Sequence, residues 1–383
     1  MTARLRHFRN CGRKNFQVDN RMFKQKRKIL RVVDANRNRA CEGLRVVEDF
    51  ARFVLDDSHL SNQCKQLRHE IVDCTKNAAF TGIVVMREAM ADVGRTIETD
   101  AEYKRTDPDC IVNANLARVQ QATRTLEEYS KALDVAVAKR FEQVRYCAYQ
   151  LESSFAATMS GQARLSSASL YVLVDAADSD ETFRSRIANL VATSGDASSA
   201  VDVVQLRDKQ ASTRVLIDRC RAFREISVGT NTLLIVNDRP DVAAVVQADG
   251  VHLGQADMSI HEARSVVGPG MLIGISTHSV AQVESAVTSG ANYIGVGPTF
   301  ASKTKSFNEF TGIDLLRSVA DLTSLPAFAI GGIDPTNIDQ VLEAGICRVA
   351  VSAAVWQSAD PGHAARQLRA KLSQQHMVVG SEK

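Results

Sequence analysis

Between Leu170 and Ala353 the chain repeats one pattern, a short apolar run followed by an amphipathic segment. The runs are LYVLVD (170–175), VDVVQLR (201–207), TLLIVND (232–238), DGVHLG (249–254), MLIGIS (271–276), ANYIGVGP (291–298), PAFAIGG (326–332) and CRVAVSA (347–353). Runs this short and this apolar suit strands buried on both faces, which occur in parallel sheets covered by helices. The intervening segments, such as HEARSVVG, VAQVESAVTSG and NIDQVLEAG, carry helical spacing, and the last two end in the glycine expected just past a helix. Eight strand-then-helix units in roughly 200 residues predict a (β/α)8 TIM barrel. A doubly wound open sheet is the alternative; it usually has fewer strands, and no GxGxxG follows the first run here.

The small polar stretch TMSGQARLSSAS (158–169) separates this half from a helical one and predicts a linker. The organisation expected is therefore a basic tail (1–28), an all-α domain (29–157), the linker (158–169) and an α/β barrel (170–375). Within the helical half, VDANRNRACEGLRVVEDFAR (33–52) aligns without gaps to VNANLARVQQATRTLEEYSK (112–131), pairing Asn36 with Asn115, Arg39 with Arg118, Arg45 with Arg124 and Glu48 with Glu127. Two like helices predict a pseudo-symmetric bundle. Leu44, Val47, Ala51 and Val54 fall at core spacing, while Arg45, Glu48, Asp49 and Arg52 read as a salt-bridge face.

Charge and cysteine usage narrow the class of protein. The net charge is +3, yet before Ile29 the chain carries Arg4, Arg6, Arg9, Arg13, Lys14, Arg21, Lys24, Lys26, Arg27 and Lys28 against Asp19 alone. Such a tail suits organelle addressing or nucleic-acid contact, but without a sustained apolar face it reads first as a disordered, solvated extension. Eight cysteines lie scattered with no CxxC, which predicts reduced thiols in a cytoplasm rather than a disulfide framework or a zinc site. No apolar run reaches the length of a membrane span, so no membrane partner is expected. Assembly with further copies of the chain stays compatible with all of this.

A barrel places its chemistry at the C-terminal ends of its strands, with phosphate commonly held after the seventh and eighth. Polar residues fall there in register: Gln205, Arg207 and Lys209 on the second strand, Asn237, Asp238 and Arg239 on the third, and His252, Gly254 and Asp257 after the fourth. Ser276 ends the fifth, GVGPTFASKTK (295–305) the sixth, Gly331-Gly332 the seventh and Val351-Ser352 the eighth. Asp238 and Asp257 are hard oxygen ligands suited to Mg2+ shared with a diphosphate. Arg207, Lys209 and Lys305 supply the positive charge that a departing diphosphate needs. Gly332 and Ser352 offer backbone N–H groups to a second anion. His252 and His278 read as packing or hydrogen-bonding groups before they read as general bases.

These residues carry a resemblance. QLRDK (205–209), NDR (237–239), HLGQAD (252–257), GIST (274–277), GPTFASKTK (297–305), AIGGI (329–333) and VSAAV (351–355) resemble the ordered motifs of the thiamine phosphate synthase family. The resemblance implies an enzyme that joins a hydroxymethylpyrimidine diphosphate to a thiazole phosphate carboxylate, releasing diphosphate and carbon dioxide by a dissociative path. By the same resemblance Gln205, Leu206, Arg207, Asp208, Lys209, Asn237, Ser276 and Lys305 hold the pyrimidine diphosphate. Asp238 and Asp257 bind Mg2+, and Ser302, Thr304, Gly332, Val351 and Ser352 hold the thiazole phosphate. Where the family commonly reads threonine and proline, this chain has Ser302 and Lys303, which keeps a hydroxyl and adds a charge, and Lys303 is expected with its neighbours among the substrate contacts. A thiazole tautomerase shares the fold and part of the pattern, and it stays as an alternative beside another phosphate-binding barrel. The helical half resembles a module linked to phosphorylation of hydroxymethylpyrimidine phosphate, with Asn36, Arg39, Asn115 and Arg118 as its expected contacts. It has no GxxxxGK[ST] loop, and the competing readings are dimerisation or nucleic-acid binding.

Overall fold

The computed structural model describes residues 4–87, 105–177, 179–192, 199–301 and 312–379, with side chains from Met22 to Ser373 within those ranges. The chain divides into two compact units, residues 1–152 and 153–383. In the first, helices α1 (Arg4–Phe53), α2 (Ser58–Cys74), α3 (Pro108–Ser130) and α4 (Val135–Leu165) carry the fold. The basic segment expected as a disordered tail instead extends α1 back to Arg4, since Arg, Lys, Gln and Met are good helix formers and no proline interrupts them.

Helix α1 packs against both α2 and α3. The contact with α3 is close at Gly43, where a Cβ would lie 2.9 Å from Val119 Cγ2 and 3.2 Å from the Asn115 carbonyl oxygen. Leu44, Val47 and Ala51 are buried as their spacing requires, but Val54 is exposed because α1 ends one residue earlier. The repeat seen in the sequence holds in three dimensions. Arg45 reaches Glu48 and Asp49, and Arg124 reaches Glu127 and Glu128, at the same spacings. The expected exposed charge ladder is nevertheless wrong for its central members. Glu48 and Glu127 are buried, and each takes an arginine from the next helix, Arg68 of α2 at 3.0 Å and Arg145 of α4 at 2.9 Å. The duplicated unit is thus a helical hairpin with a buried cross-helix ion pair.

In the second unit eight parallel strands close into a barrel: β1 (Leu170–Val174), β2 (Val203–Leu206), β3 (Leu233–Asn237), β4 (Gly250–Leu253), β5 (Leu272–Thr277), β6 (Tyr293–Val296), β7 (Ala327–Ile330) and β8 (Val349–Val351). Around them run α5 (Asp180–Val191), α6 (Thr213–Ile226), α7 (Pro240–Val245), α8 (Ile260–Val267), α9 (Val280–Thr288), α10 (Gly312–Leu322), α11 (Ile338–Glu343), α12 (Ala353–Trp356) and α13 (Pro361–Val379). The open-sheet alternative is excluded by the pairing of β1 with both β2 and β8. Inside, Tyr171, Val203, Ile235, Leu272, Tyr293, Phe328 and Ala350 fill the barrel as one cluster. The Tyr293 ring fits because the next strand has glycine beside it: a Cβ on Gly274 would lie 2.1 Å from Cζ of Tyr293.

The stretch expected as a linker is helical as far as Leu165, because the second half of α4 forms the floor of the barrel. Its small residues permit that approach. A Cβ on Gly161 would lie 1.9 Å from the carbonyl oxygen of Asn292. Arg164 donates to the carbonyls of Gly270 and Asp249, Gln162 donates to that of Ser324, and Asn292 donates back to that of Ala157. Leu165 caps the interior cluster. Among the described residues no helix is long and apolar enough to cross a membrane.

Candidate active site at the barrel mouth

Strand alternation decides which residues reach the lumen. Gln205 pairs in register with Ile235, an interior residue, and Asn237 pairs with His252. Gln205, Asn237, His252 and Ser276 therefore line the mouth on the β2 to β5 side. On the β1 and β7 side the corresponding residues are Leu173 and Ile330, both packed on the interior cluster. One half of the mouth is polar and the other is greasy. Leu206 and Val351 are buried on the outer faces of their strands, so only their backbones could meet a ligand.

The polar half is finely constrained. Gln205 is almost fully buried, and its Nε2 has no partner among the described residues. A buried donor left this way costs about 1–3 kcal/mol, so the site is built to be completed by an acceptor. Asp208 spends its carboxylate on the loop itself, accepting from the backbone N–H groups of Gln210 at 2.8 Å, Ala211 at 2.9 Å and Ala176 at 3.2 Å. Burial would raise its pKa, and those three donors bring it below the ordinary carboxylate range. These bonds shape the turn that carries Arg207 and Lys209.

Asp238 sits with φ of +58°, a left-handed backbone held by the bond from its N–H to the His252 carbonyl at 2.8 Å. That conformation turns its carboxyl towards Asp257 and Lys209, whose Nζ lies 3.5 Å from Asp238 Oδ2. Burial, then the hydrogen-bonded Asp257 carboxyl, raise the Asp238 pKa, with Lys209 opposing them. Asp257 is positioned in turn by the Gly254 N–H at 2.7 Å, and a Cβ at residue 254 would lie 2.9 Å from Asp257 Oδ2 and push that carboxylate aside. Two carboxylates pressed together like this fit a divalent cation that takes its remaining ligands from substrate and water. Among the described residues no cluster of three or more such ligands occurs.

A line of hydrogen bonds that the motifs did not foretell leads down from the mouth. Ser276 Oγ lies 3.0 Å from His252 Nε2, His252 Nδ1 lies 3.3 Å from Tyr293 Oη, and Tyr293 Oη lies 3.2 Å from Tyr171 Oη. Burial drives the His252 pKa down to about 4, so it is a neutral hydrogen-bonding residue, as its place in an apolar run suggested. The available signal was the alternation that faces Tyr171, Gly274 and Tyr293 inwards. His278 is exposed at the rim and its Nδ1 meets the Gly297 carbonyl oxygen.

Across the mouth, Gly331 and Gly332 take φ of +105° and +64°. Cβ atoms there would strike Pro298 at 2.9 Å and the Ala301 carbonyl oxygen at 2.5 Å. Asn337 fixes the turn by donating to the Gly332 carbonyl at 2.8 Å, and Ser352 Oγ donates to that of Leu173 at 3.3 Å. Among the described residues the amides of Gly332 and Ser352 meet no backbone acceptor. Ser302, Lys303, Thr304 and Lys305 lie outside the described residues.

In the helical unit, Asn36 and Asn115 are buried and occupy equivalent positions, each donating Nδ2 to the carbonyl four residues back, Val32 at 2.9 Å and Ile111 at 2.8 Å. Arg118 reaches Asn115 Oδ1 at 3.1 Å. Arg39 and Arg118 are exposed, so of the four expected contacts the two arginines are the ones open to a ligand.

Comparison with known proteins matches the two regions of the chain to two families. The family described as Thiamine monophosphate synthase matches residues 170–355, and the ThiD2 family matches residues 31–154. The thiamine-phosphate synthase of Rhodopirellula baltica is 40% identical over 340 residues, covering 86% of this chain and 89% of that protein. That of Synechocystis is 38% identical over 346 residues, covering 90% and 96%. A solved thiamine phosphate pyrophosphorylase from Pyrococcus furiosus is 32% identical, with a TM-score of 0.47, and covers 54% of this chain and 96% of that one.

Proposed function

The chain belongs to the thiamine-phosphate synthase family, a transferase, and on that premise we propose that its barrel joins hydroxymethylpyrimidine diphosphate to thiazole phosphate carboxylate. The observation that carries this reading is the divided mouth: cations, paired carboxylates and an amide unmet among the described residues on the β2 to β5 side, opposite backbone N–H groups likewise unmet among them on the β7 to β8 side.

In this reading Gln205, Asn237 and Ser276 orient the pyrimidine. Arg207 and Lys209, with Lys305, hold the diphosphate and stabilise its charge as the methylene C–O bond breaks and the electron pair leaves with oxygen. Gly332 and Ser352, with Ser302 and Thr304, hold the thiazole phosphate so that the ring nitrogen faces the cationic carbon and forms the new C–N bond. Leu173 and Ile330 keep water from that carbon. Asp238 and Asp257 would hold Mg2+, which when bound supplies further charge neutralisation to the leaving diphosphate. Full-length protein given both substrates and Mg2+ should release thiamine phosphate, diphosphate and carbon dioxide; no product with either substrate in excess would end this reading.

A second reading rests on the match of residues 31–154 to the ThiD2 family. The helical unit converts hydroxymethylpyrimidine phosphate to the diphosphate with ATP, feeding the barrel. Arg39 and Arg118 are the contacts to replace. The whole chain given the monophosphate, MgATP and thiazole phosphate carboxylate should make thiamine phosphate, and Arg39→Ala with Arg118→Ala should abolish that route while sparing reaction from supplied diphosphate. Equal activity by both routes in the double variant would remove these arginines from the kinase site.

A further inference from the structure

The buried chain beneath Ser276 has a direction that can be counted. Four groups, Tyr171, Tyr293, neutral His252 and Ser276, carry one mobile hydrogen each, and three contacts of 3.2, 3.3 and 3.0 Å join them in a row. Three links use three hydrogens, so one is left over, either at an end of the row or on Tyr293, whose oxygen would then accept from both neighbours and strand its own hydrogen in the barrel interior. At the Tyr171 end it would be stranded, because Tyr171 is buried in the barrel and Tyr293 is the one hydrogen-bond partner of its hydroxyl among the described residues. A buried donor without a partner costs about 1–3 kcal/mol. At the Ser276 end the spare hydrogen emerges at the partly exposed mouth, where solvent or a ligand accepts it. The arrangement with no stranded hydrogen runs one way: Tyr171 donates to Tyr293, Tyr293 to His252 Nδ1, and His252 Nε2–H to Ser276 Oγ.

We propose that Tyr171, Tyr293 and His252 are positioning residues that fix the polarity of Ser276, making its hydroxyl a hydrogen-bond donor to an acceptor atom of the bound pyrimidine diphosphate. The identity of that ligand rests on the reading above, whereas the polarity rests on the row itself. Gly295 supports the geometry, since a Cβ there would lie 3.3 Å from His252 Cε1 and crowd the imidazole. The close fit of Tyr293 beside Gly274 fixes the ring that carries the central hydroxyl. Without that hydroxyl either tautomer of His252 leaves Nδ1 unmet, so neither direction keeps its advantage.

The test uses the full-length chain in three forms, wild type, Tyr293→Phe and Tyr171→Phe, with imidazole 15N spectra assigned to His252 by loss of its signal in His252→Gln. In wild type His252 is expected as a single Nε2–H tautomer. Tyr171→Phe serves as the control for loss of a buried phenolic oxygen and keeps that tautomer, since Tyr293 still donates to Nδ1. Tyr293→Phe is expected to give a mixture of tautomers and to raise KM for the pyrimidine diphosphate by about two- to tenfold, with KM for the thiazole phosphate unchanged. An Nδ1–H tautomer in wild type overturns the proposal. So does a Tyr293→Phe chain that keeps a single Nε2–H tautomer, or that loses affinity for both substrates equally. If wild type makes no thiamine phosphate, the functional reading fails and the spectra still decide the direction of the row.

Discussion

The carboxyl groups of Asp238 and Asp257 are brought together beyond the ends of neighbouring strands, and burial, then the adjacent Asp257 carboxyl, raise the pKa of Asp238. Each positions the other's environment, so neither can be lost quietly. Asp238→Asn or Asp257→Asn should leave a folded barrel and lower turnover by a factor on the order of 100, with partial rescue by added Mg2+. Steady-state rates across a Mg2+ titration check this, and wild-type turnover at low Mg2+ in either variant would remove the pair from the site.

The floor of the barrel gives a sharper structural test. Gly161→Ala places a methyl group into the Asn292 backbone and should cost about 3 kcal/mol or more, read as a lower urea midpoint. Gly270→Ala, whose Cβ meets nothing within 4 Å, should stay within about 0.5 kcal/mol. Equal midpoints for the two variants would mean that α4 does not press on the barrel as described.

The buried histidine sets a pH dependence with a definite sign. In the folded chain His252 titrates near 4, below the ordinary 6.5, so between those values the unfolded chain binds a proton that the folded chain does not. Stability should therefore fall as pH drops from about 6.5 towards 4, by up to about 3 kcal/mol from this residue. His252→Gln should lose that part of the slope in denaturant midpoints measured across the range. Parallel wild-type and variant curves would show that His252 charges as readily in the folded chain.

The duplicated hairpin predicts duplicated penalties. Glu127→Ala leaves Arg145, itself largely buried, without its carboxylate and should cost about 3 kcal/mol. Glu48→Ala should cost less, because Arg68 is more exposed. Replacing Glu127 and Arg145 together with apolar residues should recover most of the loss. A double variant no better than Glu127→Ala would show that the pair acts through something other than its own charges.

Much of this was readable from residue order. The eight apolar runs gave strands because a parallel barrel buries both faces of each, and the polar residues just beyond them had to gather at one rim. What periodicity could not supply was context across space. The glycine and small polar residues of 158–165 suggested a flexible joint, but Gly161 is small because a backbone lies against it. Spacing placed Glu48 and Glu127 on a charged helix face without revealing that a second helix covers them. The motif around Asp208 could not show that its carboxylate also ties its own loop, through Gln210 and Ala211, to the loop after β1, through Ala176. The hydrogen-bond row from Ser276 to Tyr171 joins residues far apart in sequence, so no local motif announces it.

The fit of Tyr293 beside Gly274 also constrains how such a barrel can evolve. Residue 274 cannot gain even a methyl group while the ring stands against it, so any lineage that enlarges one position must first shrink the other and pass through a cavity-bearing ancestor. That ancestor would forfeit the phenolic oxygen between Tyr171 and His252 at the same step. Steric volume and hydrogen-bond wiring are inherited here as a single character, and positions 274 and 293 should covary across descendants even though only one of them bears a polar group.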